Sequence, residues 1–151
     1  MPSFMDNLVR QAQLIKAQGI FTSPISGDLE LPSVATRDIA EAAARILIDR
    51  SWSGHEEVPL LGPKNLSFEH MAATASEVLG RDVTFTQVPP EAYKSRMVEN
   101  GMSDAMAQGM LDMALAKDEG LDLGVERTPT NSTPTTFRTW CEDTLAPALR
   151  S

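Results

Sequence analysis

The chain has 151 residues, 42% of them hydrophobic and 23% charged, which is ordinary for a globular protein and sufficient for one domain with a real core. A formal net charge of −8 and a pI near 4.7 work against nucleic acid and anionic membrane surfaces, so neither is an expected partner. Cys141 is the only cysteine, which excludes an intrachain disulfide, and no apolar run approaches the roughly 18 residues of a membrane span.

The first ten residues, MPSFMDNLVR, have no basic region followed by an apolar core. No secretory signal is expected there, and the composition suits a cytoplasmic protein. For the same reason the glycosylation-like triplets at Asn65 and Asn131 are read as chance matches to a short motif. Phe4 to Gln18 reads as a helix, with Phe4, Leu8, Ala12 and Ile15 on one face and Gly19 as its stop. Ile20-Phe21-Thr22 is short and β-prone, and Ser23-Pro24 followed by Ser26-Gly27-Asp28 is turn chemistry. Leu29 and Leu31 then alternate with Glu30 and lead to the most informative stretch, Pro32 to Asp49.

There Val34-Ala35-Thr36 reads as a strand end, Asp38 as a helix N-cap and Glu41 as its capping-box partner. Removal of such a cap is expected to destabilise by roughly 1 kcal/mol. Ile39, Ala42, Ala43, Ile46 and Leu47 follow the spacing of a helix with one buried face. A strand passing into an alanine-rich helix is a corner of an α/β protein.

After a break at 51–54, Val58 to Leu61 reads as a brief strand, with Pro59 at an edge or start. Ser67 caps a second helix that turns Phe68, Met71, Ala72, Ala75, Val78 and Leu79 inward and stops at Gly80. Val83 to Val88 alternates as a strand. Pro90 opens a helix on which Tyr93 and Met97 stack, ending at Asn100-Gly101, and Ser103 caps the next, which carries Met106, Met110, Leu111, Met113, Ala114 and Leu115. A polar loop spans 120–133. A last helix is expected from Pro134 to Pro147, with Phe137, Trp140, Cys141, Thr144 and Leu145 on one face.

Several chemistries are missing. No glycine-rich dinucleotide fingerprint, phosphate-binding loop, nucleophile elbow or paired-histidine zinc motif occurs, and no metal is expected. Tyr93 has Met97 four residues on, in place of the lysine of a Tyr-x-x-x-Lys pair. Met97, Met102, Met106, Met110 and Met113 either line an adaptable pocket or form plain core or subunit interface. Cys141 reads as a buried hydrophobe, because no basic neighbour would lower its pKa. Glu56-Glu57 and Asp118-Glu119 read as solvated charge.

Four stretches together resemble the NmrA-like family, atypical short-chain dehydrogenase/reductases with an NAD(P)-binding Rossmann domain. Pro2-Ser3-Phe4-Met5-Asp6-Asn7-Leu8 resembles the family's R-P-x-F-F-M-[DE]-N-L, and Val34 to Ala40 its V-D-V-R-D-I-A corner. Leu61-Gly62-Pro63 to Val88 resembles its L-x-G-P…L-G-R-x-V run, and Thr133 to Trp140 its closing T-x-x-x-F-x-x-W helix. The resemblance implies an α/β fold, the substrate-side half of a Rossmann-like protein in one domain over 1–151. That half would hold about five or six helices and short strands near 20–22, 34–36, 58–61 and 83–88, some of them parallel. It also places Phe4, Met5 and Asn7 near the nicotinamide and substrate pocket, with Met97, Met106 and Met110 on flanking helices. NAD(P) is the family's cofactor, yet the family's glycine-rich half is absent here, so tight NAD(P)H binding by this chain is not expected. Two functional classes follow. One is the substrate-side half of an NAD(P)-dependent oxidoreductase or redox sensor for a small apolar substrate, acting with a separate cofactor half or as a homo-oligomer. The other is a non-catalytic interaction module or gene fragment.

Overall fold

A computed structural model describes residues 3–150 of the chain. Strand β1 (Ser3–Phe4) passes through a 3-10 turn, Met5–Gln11, into helix α1 (Ala12–Gln18), and β2 (Ile20–Ser23) follows. Then come β3 (Leu31–Val34), α2 (Thr36–Asp49), β4 (Asn65–Leu66), α3 (Phe68–Leu79) and β5 (Thr84–Gln87). Helices α4 (Pro90–Glu99) and α5 (Asp104–Asp118) pack against each other. The closing helix runs as α6 (Phe137–Trp140), a π segment (Cys141–Leu145) and α7 (Ala146–Arg150). Counted as one, it brings the described residues to six helices. The fold class is therefore the expected α/β arrangement with short parallel strands.

Two small sheets organise it. β1 pairs in parallel with β3 (Phe4 opposite Val34), and β3 pairs antiparallel with β4. β2 pairs in parallel with β5, with Phe21 opposite Phe85. The main core joins Met5, Leu8, Ile15, Phe21, Met71, Val83, Trp140 and Leu145, so α1, β2, α3 and the closing helix share one apolar interior. Phe21, Phe68 and Phe85 form an aromatic cluster, with Phe68 and Phe85 stacked at 4.9 Å.

Local signals hold in many places. The Ser67 hydroxyl accepts from His70 N at 3.1 Å, and the Ser103 hydroxyl accepts from Met106 N at 3.3 Å. Pro90 stands in the first turn of α4, and Gly19 and Gly80 end their helices with φ of 68° and 64°. Gly62 has a different necessity. A Cβ there would lie 1.8 Å from the Ser33 carbonyl oxygen, so only glycine lets this loop lie against β3.

Several expectations are corrected. Phe4 belongs to a strand, and the helix it was to open begins with the 3-10 turn at Met5. The strand at the central corner is Leu31–Val34, which begins three residues before the expected 34–36. The segment 58–61 makes only one bridge, Leu61 to Ser132, and is otherwise without ladder partners among the described residues. The closing helix starts at Phe137, with the Thr136 hydroxyl accepting from Thr139 N. It also runs through Pro147: Ala146 N–H reaches back five residues to the Cys141 carbonyl, and that widened turn relieves the clash a proline ring makes in an α-helix.

Asp38 departs from the expected cap as well. Ala35 is the N-cap residue of α2 and has no capping side chain; the Asp6 carboxylate does the capping from β1's side, accepting from Thr36 N at 2.9 Å. Asp38 lies inside the first turn and is buried. Its carboxylate accepts from Thr135 N at 3.0 Å and from the Thr135 hydroxyl at 2.6 Å. Arg37 adds a bond to Thr135 Oγ1 at 3.1 Å and an ion pair with Asp143 at 2.9 Å. The conventional N-cap signal was present, but a partner 97 residues away took the side chain.

The outer face of α2 differs from expectation as well. Ala42 is buried, but Ala43, Ile46 and Leu47 are exposed, and Leu47 and Ile48 are 66% and 79% accessible.

Asp38→Ala removes two hydrogen bonds to an ionised acceptor and strands a buried N–H and hydroxyl. It should destabilise by about 3 kcal/mol, well beyond a lost cap. Asp6→Ala, at an exposed bond, should destabilise by only about 1 kcal/mol. Urea unfolding of both variants checks the order; equal losses would return Asp38 to the role of a simple cap.

Candidate functional site

The best-formed cleft lies at the carboxyl ends of the parallel strands β1 and β2, where α/β folds hold ligands. It has a volume of about 220 Å³, below the roughly 300 Å³ at which drug-sized pockets begin. Met5, Phe21, Ile25, Phe68, Met71 and Ala114 give it apolar walls, and Phe4, Met110 and Met113 add adaptable surface. Asn7, Arg10, Gln11, Thr22, Tyr93 and Lys117 supply the polar groups.

Each wall has a local cause. The Gln11 side chain pairs with the backbone of Thr22 in both directions at 2.9 Å, as a neighbouring strand would, and so joins the 3-10 turn to β2. Asp118 accepts from Ser26 N at 2.7 Å and from its hydroxyl at 3.2 Å, tying the loop after β2 to the end of α5. Asp118 is thus a structural tether and departs from the solvated charge expected of it. Met110, Ala114 and Lys117 stand four and three residues apart, so one stripe of α5 faces the cleft. Lys117 is buried, ion-paired with Asp122, and has Ser3 Oγ at 3.5 Å. Burial raises the pKa of the Tyr93 phenol, and Arg10 nearby lowers it by a smaller amount. At neutral pH the phenol is a protonated donor.

The structure brings Phe4, Met5, Asn7 and Met110 together in this cleft; Pro2, quoted beside them, lies outside the described residues. Met97 and Met106 do not line it, and Met106 is 59% exposed. Sequence reading missed Arg10, Gln11 and Lys117. For Lys117 a signal existed: a lysine on the same helical stripe as Met110 and Ala114.

The α2 strand-to-helix corner does not fit the pyrophosphate of a dinucleotide. Pyrophosphate is held by free backbone N–H groups at a helix N-terminus. At the α2 corner Thr36 N–H is already bonded to the Asp6 carboxylate, and Asp38 is buried one turn in. Two carboxylates there repel a polyanion. Among the described residues no His/Cys/Asp/Glu group is arranged to hold a metal, and no helix is long and apolar enough to cross a membrane.

Residues 1–141 match the NmrA-like family, and the chain belongs to that family. It is 34% identical over 142 residues to an NAD(P)H azoreductase of Xenophilus azovorans, covering 92% of this chain and 48% of that protein. It is 30% identical over 147 residues to festuclavine synthase I of Penicillium roqueforti, covering 92% of this chain and 50% of that protein. Among solved structures, the triphenylmethane reductase of a Citrobacter species superposes with a TM-score of 0.70 at 20% identity, over 99% of this chain and 51% of that one. An NADPH-dependent quinone oxidoreductase of Escherichia coli gives 0.65 at 24%, over 93% and 50%. These superpositions establish a partial Rossmann-like fold, and the chain spans about half the length of the relatives it matches.

Cys141 is fully buried, and burial pushes its thiol up from 9.0 to about 12, with the Arg138 charge opposing and Glu142 reinforcing. The folded state therefore keeps the proton where the unfolded chain releases it. The stabilisation is complete below pH 9 and is lost as pH rises toward 12. A thiol reagent at pH 8 should label Cys141 only after unfolding, and stability should fall between pH 9 and 11 less steeply in Cys141→Ala. Rapid labelling of the native chain would contradict the burial.

Proposed function

We propose that this chain forms the substrate-side wall of an NAD(P)-dependent oxidoreductase or redox sensor and is not catalytic by itself. The observation that carries the reading is the cleft at the strand ends, apolar in its walls, together with an α2 N-terminus occupied by carboxylates. Such a surface suits a small aromatic or apolar substrate and leaves dinucleotide binding to a separate half. Phe4, Met5, Asn7 and Met110 are the substrate-side residues, whereas Met97 and Met106 lie off the cleft.

The extent of exposed surface supports a second half. The chain exposes 9002 Å², about 1,500 Å² more than the roughly 7,500 Å² expected of a folded monomer of its mass. Ile46, Leu47, Ile48, Trp52 and Val58 contribute large exposed apolar groups to one stretch, α2 and the chain after it. That stretch also contains the extended segment with a single bridge. A partner half that supplies a strand and covers α2 would account for both features. The family membership supports NAD(P) as the cofactor of the assembled protein, because relatives named above are NAD(P)H-dependent reductases. The same exposed stretch is what a non-catalytic interaction module would use.

Titration of NADPH and NADH into the purified chain, followed by heat and by nicotinamide fluorescence, tests the division. No binding tighter than about millimolar is expected. Low-micromolar binding of either dinucleotide at physiological salt, with no partner present, would overturn it.

A further inference from the structure

The charge of the cleft is opposite to that of the protein. The chain carries 21 acidic residues and a net charge of −8, yet among the described residues no carboxylate lines the cleft, while Arg10 and Lys117 do. Lys117 is ion-paired with Asp122, so its charge is largely balanced from behind. Arg10 has no ion pair among the described residues and stands exposed at the rim, close enough to Tyr93 to act on its phenol. Phe68, Met110 and Met113 line the same cleft.

We propose that the cleft selects a small planar aromatic carrying one acidic group, the ring lying on Phe68 and the methionines and the anion meeting Arg10 and the Tyr93 hydroxyl. This rests on the substrate-side reading above and names the class of substrate for that site. An aromatic ring gains from contact with Phe68 and with methionine sulfur. A guanidinium and a phenolic O–H both donate to an anionic oxygen, and bonds to ionised acceptors are the stronger kind. The absence of lining carboxylates removes the repulsion that would reject an anion elsewhere on this acidic surface. A bare phosphate would use the cations alone and leave the apolar walls unmatched. The volume of about 220 Å³ holds the size to one or two fused rings.

The test uses the chain labelled at its methionine methyl groups and two probes of nearly equal shape, 2-naphthoate and neutral 2-naphthamide. At low salt, 2-naphthoate should shift the Met110 and Met113 methyl signals and bind about fivefold more tightly than the amide, the worth of one partly exposed charge pair. Arg10→Gln, at an exposed position, should remove the preference by weakening 2-naphthoate more than the amide, and Arg10→Lys should restore part of it. Equal affinities for the two probes, or a preference that survives Arg10→Gln, would overturn the charge inference and leave the substrate-side reading standing. Failure of both probes to move any cleft methionine would overturn the two together.

Discussion

The buried Asp38 carboxylate is the constraint on which the rest depends. A carboxylate out of water is tolerated only when its oxygens are hydrogen-bonded. Here one oxygen takes the Thr135 N–H and the other the Thr135 hydroxyl. The first turn of α2 adds the favourable end of a helix dipole. Satisfying this one charge fixes the start of the closing helix against the β3 corner. That helix supplies Phe137, Trp140 and Leu145 to the core, which also holds Met5 and Phe21 of the cleft. The corner is braced from the other side by Asp6, so β1, β3 and α2 cannot move separately. The cleft opens directly onto that braced edge.

Much of this was legible from local sequence. The caps at Ser67 and Ser103, the stops at Gly19 and Gly80, Pro90 at the start of α4 and the alternation of 84–87 act within a few residues, so their partners are adjacent in sequence. What misled was distance. Asp38 with Glu41 has the form of a capping box, and nothing local reveals that Thr135 will claim the side chain. Pro147 reads as a stop, and only a π turn in the preceding residues lets the helix pass. The apolar spacing of α2 predicts one buried face, yet only Ala42 of that stripe is buried and Ala43, Ile46 and Leu47 are exposed.

The site was legible in the same uneven way. Phe4, Met5 and Asn7 are contiguous and arrive together, and Met110 joins them because α5 turns one face inward. Met97 and Met106 share the composition of that group without its position. Arg10 and Gln11 belong to a 3-10 turn whose register no helical periodicity could give. The result is a division of charge across a short distance: carboxylates at the α2 corner, cations and a phenol at the cleft.

Asp38 ties the closing helix to the cleft edge in one cooperative unit. Native-state hydrogen exchange at the Thr135 amide tests it most directly. If Asp38 holds this N–H, it should exchange only when the whole chain unfolds, with the same free energy as the core amides of α3 and the same response to denaturant. Exchange at the rate of an open loop, while α3 stays protected, would show that the clamp does not hold and that the closing helix docks by its apolar face alone.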